Sequence, residues 1–398
     1  MRVRFGVLFA LSALVVAGVA TLAAPASAGV STDWKQLGAG RAHACGVTTA
    51  GRLFCWGSDG SGAVGDGDDD EATEHRPVEV AGARTDWKQV SAGFAHTCAT
   101  TTSKQLFCWG ADNQGEIGDG DDGGANQLEP VLVPGKWKRV SAGERFTCGL
   151  RTNGKLFCWG FNIDGQLGDG GGNGGEEESP LPVAGNLKSW TEIDTGKDHA
   201  CAQKKSGKLF CWGDNDQGQL GTGGPDDDAL TPQAVSGGIR SWTRLSLGSN
   251  HSCALRKNGK LFCWGSDAAG AIGNGFGAET EFNMPVQVAG GLIRYKSVAA
   301  GAFLTCATTT DRQAYCWGFD EDGELGDGDD DELPEHAPVI VSGAATDWKA
   351  LSGGERVTCG LKTSGRAFCW GRDASGEVGD GDDDEADEHV PVDVQSHP

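Results

Sequence analysis

Beyond about residue 24 the sequence has no apolar run long enough to cross a bilayer, which takes about 20 residues. Nor does any later segment hold an apolar stripe at helical spacing for more than two turns. Membrane-spanning bundles and helical folds are thereby excluded for the body of the chain. Positive charge is scarce as well: 33 Lys and Arg stand against 56 Asp and Glu, a formal net charge of -23. So acidic a surface repels nucleic acid and anionic membrane, leaving cations and basic proteins as the charged partners it suits. A nucleophile-elbow serine, a metalloprotease histidine pair and a phosphate-cradling glycine loop leading into a helix are all missing. Carboxylates are plentiful enough for a glycosidase-like pair, but they recur in loops of most modules instead of marking one. The chain is read as a non-enzyme.

The N-terminus is the exception to the polar pattern. Arg2 and Arg4 precede an apolar run over residues 5 to about 24, and Pro25-Ala26-Ser27-Ala28 supplies small residues for cleavage before Gly29. This predicts a signal peptide at 1–28 and a single mature domain at 29–398, secreted or periplasmic. The alternative, a retained anchor, fits the Gly and Ser content and the small-residue site less well. No cysteine stands at the cleavage site to carry a lipid, so no membrane attachment is expected afterwards, and a monomer is expected. With 13 Trp and 15 Phe the remainder is a packed protein, and 65 Gly mark a chain with very many turns.

Fourteen cysteines fall in seven pairs, each ten residues apart: Cys45 with Cys55, Cys98 with Cys108, Cys148 with Cys158, Cys201 with Cys211, Cys253 with Cys263, Cys306 with Cys316, and Cys359 with Cys369. Every second cysteine is followed by Trp-Gly, and each module opens on an aromatic, from Trp34 through Tyr295 to Trp348. The modules are 34–86, 87–136, 137–189, 190–241, 242–294, 295–347 and 348–398. In the second, alternation predicts short strands at 87–90, 96–100, 105–109 and 130–133, with a tight turn at 101–104 and a long Gly- and Asp-rich loop after Gly110. Sheets of four such strands cannot bury both faces alone, so radial stacking follows: an all-β, seven-bladed β-propeller of about four short strands per blade. An open β-solenoid would need distinctive end caps, which the first and last modules lack.

The paired cysteines are symmetric about the turn between the second and third strands. Residues so placed in a hairpin lie opposite each other, which predicts seven local disulfides and agrees with export. Zinc would need ligands converging from several modules, and no histidine accompanies the pairs in all seven copies.

The repeat, with Ala92-Gly93 and His96, then Trp109-Gly110 with Asn113, Gly115 and Gly118, then Asn215 with Gly218, Leu220 and Gly221, resembles the regulator of chromosome condensation repeat. The resemblance covers nearly the whole mature chain and implies a seven-bladed propeller. Such propellers serve as exchange factors, protein-binding modules or secreted hydrolase inhibitors, so it says little about function. Export signal, acidity and a cysteine pair per blade make the chain more similar to the bacterial extracellular branch, which includes an inhibitor of β-lactamases. No contact residue of that inhibitor is carried over. The leading expectation is a secreted scaffold recognising a protein or cell-surface partner through loops on one face. The alternatives are a calcium-stabilised structural protein, a hydrolase inhibitor or a hydrolase.

Function is sought where the modules differ. After the glycine closing the first strand comes a variable pair of residues, which contributes Arg41, Phe94, Arg145, Lys197, Asn250, Phe303 and Arg356 as candidate partner-binding residues. The competing reading makes them ordinary turn residues with the two phenylalanines folded inward. Next to them His43, His96, His199 and His251 are replaced by Phe146, Leu304 and Val357 in the other modules, which reads as packing or strand capping instead of metal ligation.

The second variable place is the loop between the third and fourth strands. Modules one, six and seven carry Asp66-Gly67-Asp68-Asp69-Asp70-Glu71, its copy at 327–332 and its copy at 380–385. If the ring closes, these three are contiguous. Asp66, Asp68, Asp70, Asp327, Asp329, Asp331, Asp380, Asp382 and Asp384, with Asp320 and Asp322, are the candidate calcium ligands. None of these loops matches the spaced twelve-residue calcium pattern, so no cofactor is required, and a solvated acidic surface or a docking field for a basic partner remain alternatives.

Overall fold

The computed structural model describes residues 33–395 except 69–72, 122–123, 172–174, 187, 278–279, 292, 330–332, 344 and 383–385. The expected signal peptide lies outside them. Among the described residues 28 strands form seven four-stranded antiparallel sheets, each from one contiguous stretch of chain. Blade one consists of β1 (Trp34–Ala39), β2 (His43–Thr48), β3 (Leu53–Ser58) and β4 (Thr73–Glu79), in that order from channel to rim. Blade two repeats it with β5 (Trp87–Ala92), β6 (His96–Thr101), β7 (Leu106–Gly110) and β8 (Gln127–Val133). β8 begins three residues before the expected position, because it bulges at 128–130 opposite Trp109 and pairs again as Gln127 with Gly110.

Burial explains the order. The second and third strands are covered on both faces by neighbouring blades, and β2 is buried along its whole length. The first strands line a central channel, and the fourth strands are mostly half-exposed. In each blade the opening aromatic packs on the cysteine-flanking tryptophan, as Trp34 does on Trp56 at 5.8 Å. The Trp-Gly pair has a backbone cause. Gly57 holds φ +104°, and a Cβ there would lie 2.5 Å from the Ala42 carbonyl.

The ring closes without strand exchange. The Trp34 amide donates to the Gly365 carbonyl at 2.7 Å, as Trp87 does to Gly51 at 2.9 Å between blades one and two. The Glu355 amide donates to Gly40 at 3.1 Å just as Arg41 does to Gly93 at 3.2 Å. Blade seven thus meets blade one as any blade meets the next, and no solenoid end exists.

Each blade carries one disulfide between its second and third strands. Cys45 is bonded to Cys55, Cys98 to Cys108, Cys148 to Cys158 and Cys201 to Cys211. In the last three blades Cys253 is bonded to Cys263, Cys306 to Cys316 and Cys359 to Cys369. The Cα atoms of every pair lie 4.0–4.1 Å apart. Directly opposed residues stand that close, and Cys45 is indeed the register partner of Cys55.

Candidate functional site

In a four-stranded antiparallel blade, the turn after the first strand and the loop after the third emerge at the same end. The variable turns and the acidic loops therefore share one face, called here the mouth. Arg41, Phe94, Glu144, Lys197, Ser249, Ala302 and Glu355, the first residue of each variable pair, encircle the channel opening. The second residue of each pair is not part of that circle. Arg356, for instance, donates to Asp322 of blade six at 2.7 Å.

The seven candidate partner-binding residues are split by this geometry. Arg41, Phe94 and Lys197 line the mouth; Arg145, Asn250, Phe303 and Arg356 lie outside it. Arg41 pairs with Glu355 across the ring closure at 3.0 Å and covers the Phe94 ring at 4.0 Å, so Phe94 is half-buried. Arg145 lies over Phe161 at 4.1 Å, and Lys197 is 3.9 Å from Asp198. Asn250 uses its main-chain carbonyl to accept from Ser266. Phe303 differs: its side chain is 40% exposed and its ring centroid lies 6.3 Å from that of Phe319.

The histidines hold blades together. His43, His96, His199 and His251 bond through Nε2 to hydroxyls of the next blade, Thr97, Thr147, Ser252 and Thr305, at 2.8–2.9 Å. Each hydroxyl also donates to a main-chain carbonyl, that of Ala63, Glu116, Gln219 or Ala271. Burial depresses the imidazoles from 6.5 to about 4 for His43 and His251 and about 3 for His96 and His199. Burial thus favours the neutral imidazole, and each bridges its blade to the next.

The acidic loops assemble carboxylates that no single run displays. The residue three after each cysteine-flanking tryptophan, Asp in all blades but three and four, folds beneath its own loop, so Asp59, Asp66 and Asp68 bring oxygens within 4.8 Å of one another. Asp320, Asp327 and Asp329 do the same in blade six, and Asp373, Asp380 and Asp382 in blade seven. Asp59 and Asp373 were not among the expected ligands, and a fourth group, wholly unexpected, joins Asp214, Asp216 and Asp228 in blade four. Asp322 is instead committed to Arg356. Asp70, Asp331 and Asp384 lie outside the described residues.

Asp59 Oδ1 accepts the Val64 amide at 2.7 Å, an arrangement repeated in every blade down to Asp373 and Val378. Burial, outweighing that bond, and then the neighbouring carboxylates push Asp59, Asp320 and Asp373 up to about 7. Blade three shows the contrast. There Asn162 takes the position and its amide donates to Asp169 at 3.4 Å and to the Gly171 carbonyl at 3.3 Å. A proton or a cation can do in blades one, six and seven what the amide does in blade three.

The three loops do form one sector. The blade-seven loop offers the Gly381 carbonyl to Arg76 of blade one at 2.6 Å, and the blade-six loop packs at Gly323 against His389 of blade seven.

The RCC1-like domain profile matches residues 18–347. The ultraviolet-B receptor UVR8 of Arabidopsis thaliana is 25% identical over 367 residues, covering 90% of this chain and 69% of the receptor. The human E3 ubiquitin-protein ligase HERC2 is 30% identical over 329 residues, 82% of this chain but only 6% of the ligase. Among solved structures, Prp20p of Saccharomyces cerevisiae, described with its binding to Gsp1p and histones, superposes with TM-score 0.76 at 23% identity, covering 88% of this chain and 87% of Prp20p. Human WBSCR16 gives 0.76 at 19% identity, over 86% and 94%. Repeat, ring and profile agree: the chain belongs to the RCC1-like domain family.

Proposed function

We propose that this propeller is a secreted, non-enzymatic binding protein that docks a protein or cell-surface partner on its mouth. One observation carries the reading: on a face where seven blades present the same backbone turn, Phe303 stands 40% exposed beside Phe319. Phe319 behind it is half-buried under Arg356, and a single exposed aromatic bordered by charged groups is what interfaces use as an anchor. Seven disulfides fit a non-reducing compartment, and the relative Prp20p binds proteins. The test is to immobilise the disulfide-bonded chain and identify what it retains from the extracellular fraction of its source. A retained protein released by Phe303→Asp supports the reading. Retention of nothing, together with turnover of a substrate, would sink it.

A second reading rests on the contrast between Asp59 and Asn162. Calcium would be held in blade one by Asp59, Asp66 and Asp68, in blade six by Asp320, Asp327 and Asp329, and in blade seven by Asp373, Asp380 and Asp382. It would offset carboxylate repulsion and order the loops around the docking face. Calorimetric titration decides this: heat on adding calcium supports it, and no heat with an unchanged melt in chelator removes it.

A further inference from the structure

The net charge of -23 is not evenly spread. Among the described basic residues only Arg41, Arg76, Arg145, Lys197, Arg356 and Arg372 stand at the mouth end of their strands. Most others cluster at the opposite end, around the turns between second and third strands and the connections between blades. There the blades differ in how the cations are satisfied. In blades one, two and seven they face acids: Arg52 pairs with Glu79, Arg84 with Asp86 and Lys362 with Asp347.

Blades four and five carry no acid at that end, and in blade six Asp311 lies outside the depression described next. Two adjoining grooves, of about 280 and 400 Å³, run across these blades and share Thr243 and Lys257. Lys204, Lys205, Arg240, Lys257, Arg294 and Lys296 line them, and no acidic residue does. Lys205, Arg240, Lys257, Arg294 and Lys296 are exposed. Lys204 lies over the Trp190 and Phe210 rings at 4.7 and 4.4 Å, which fixes its position. So many like charges in one depression repel one another, and an anion offsets that repulsion.

The other lining groups narrow the choice. Gln203, Ser206, Asn258 and Thr310 add neutral donors and acceptors of the kind that meet sugar hydroxyls. The aromatic walls, Trp242 and Tyr295, are 2% and 4% exposed, so no ring is free for a nucleobase to stack on. No large apolar side chain projects from the lining to enter a membrane.

We propose that this double groove, on the face opposite the mouth, binds an acidic polysaccharide laid across blades four to six. The site is independent of the mouth reading. The test titrates the disulfide-bonded chain with a size-defined heparin fragment, with neutral dextran, oligo-dT and anionic vesicles as comparisons. The fragment should bind while dextran does not, and raising salt fourfold should weaken binding roughly tenfold or more. A triple variant combining Lys205→Glu, Lys257→Glu and Arg294→Glu should weaken it by about tenfold or more. Lys155→Glu with Lys349→Glu, elsewhere on that end, and Phe303→Asp on the mouth should not. An unchanged melting temperature shows that the triple variant still folds. The proposal is overturned if the fragment does not bind, if the folded triple variant binds as well as the parent, or if oligo-dT or vesicles bind more tightly through the same residues.

Discussion

The Nε2 of His199 lies 2.9 Å from the Ser252 hydroxyl, and that hydroxyl donates to the Gln219 carbonyl at 2.9 Å. A hydroxyl has one proton, so His199 must be the donor in the first contact, which fixes its tautomer. The bond ties blade four to blade five. Where the next blade lacks the hydroxyl, the histidine is absent too: Phe146 precedes Ala200, and Val357 precedes Ala44 across the closure. Blade six departs from the rule, since Leu304 precedes Thr358, whose hydroxyl still reaches the Glu324 carbonyl at 3.0 Å.

Ser252→Ala should therefore destabilise the ring by about 1–3 kcal/mol, because it strands a buried imidazole N–H. The double variant His199→Phe with Ser252→Ala copies the pair already present as Phe146 and Ala200. Its loss should be smaller than the sum of the two single losses, read from urea midpoints at pH 7.5.

The same pair predicts a pH dependence with a definite sign. His199 has a folded pKa of about 3 against an ordinary 6.5, so below 6.5 the unfolded chain takes a proton that the folded chain refuses. Its contribution is full above 6.5 and declines as pH falls towards 3. The stability difference between parent and the double variant should accordingly move in the variant's favour between pH 7.5 and 4.5. Carboxylate titrations common to both proteins cancel in that difference. A pH-independent difference would show that His199 is not held neutral.

Each disulfide closes a small loop, for which chain entropy predicts roughly 2–3 kcal/mol. Replacing Cys306 and Cys316 together by alanine should lower stability by about that amount while the other six blades keep their bonds. Alkylation of the unfolded, unreduced parent should label no cysteine, since all are paired. Labelled thiols in mass spectra would contradict the pairing.

Asp59→Asn places in blade one the amide that blade three has at Asn162. In chelator at about pH 8, where Asp59 is ionised, the variant should melt higher than the parent, because the amide can donate to Asp66 where a carboxylate repels it. With calcium the order should reverse, since the variant has lost a ligand. A melt insensitive to both changes would argue for a purely solvated loop.

The parts of the fold that were legible were those with short sequence separation. A ten-residue spacing symmetric about a turn dictates cross-strand partners, so the Cys98–Cys108 bond follows from counting. The His199–Ser252 bond spans 53 residues and surfaces only when blades are set side by side. The variable pair looked like one ring of seven, yet neighbouring turn residues diverge, sending Phe94 to the channel and Phe303 outwards. Asp59 was missed because it precedes the acidic run and joins Asp66 only after the loop folds back over it. Net charge concealed most of all, because an antiparallel blade can put its acids at one end and its bases at the other. The signal lay in Arg256 and Lys260 flanking a turn, and in Lys204 and Lys208 likewise.

The most direct test of the account is the affinity of a retained partner for three forms of the ring: parent, Phe303→Asp and Lys257→Glu. Docking on the mouth predicts that Phe303→Asp loses about 2 kcal/mol or more of binding, with Lys257→Glu indistinguishable from the parent. Full affinity in Phe303→Asp, or loss only in Lys257→Glu, would contradict it.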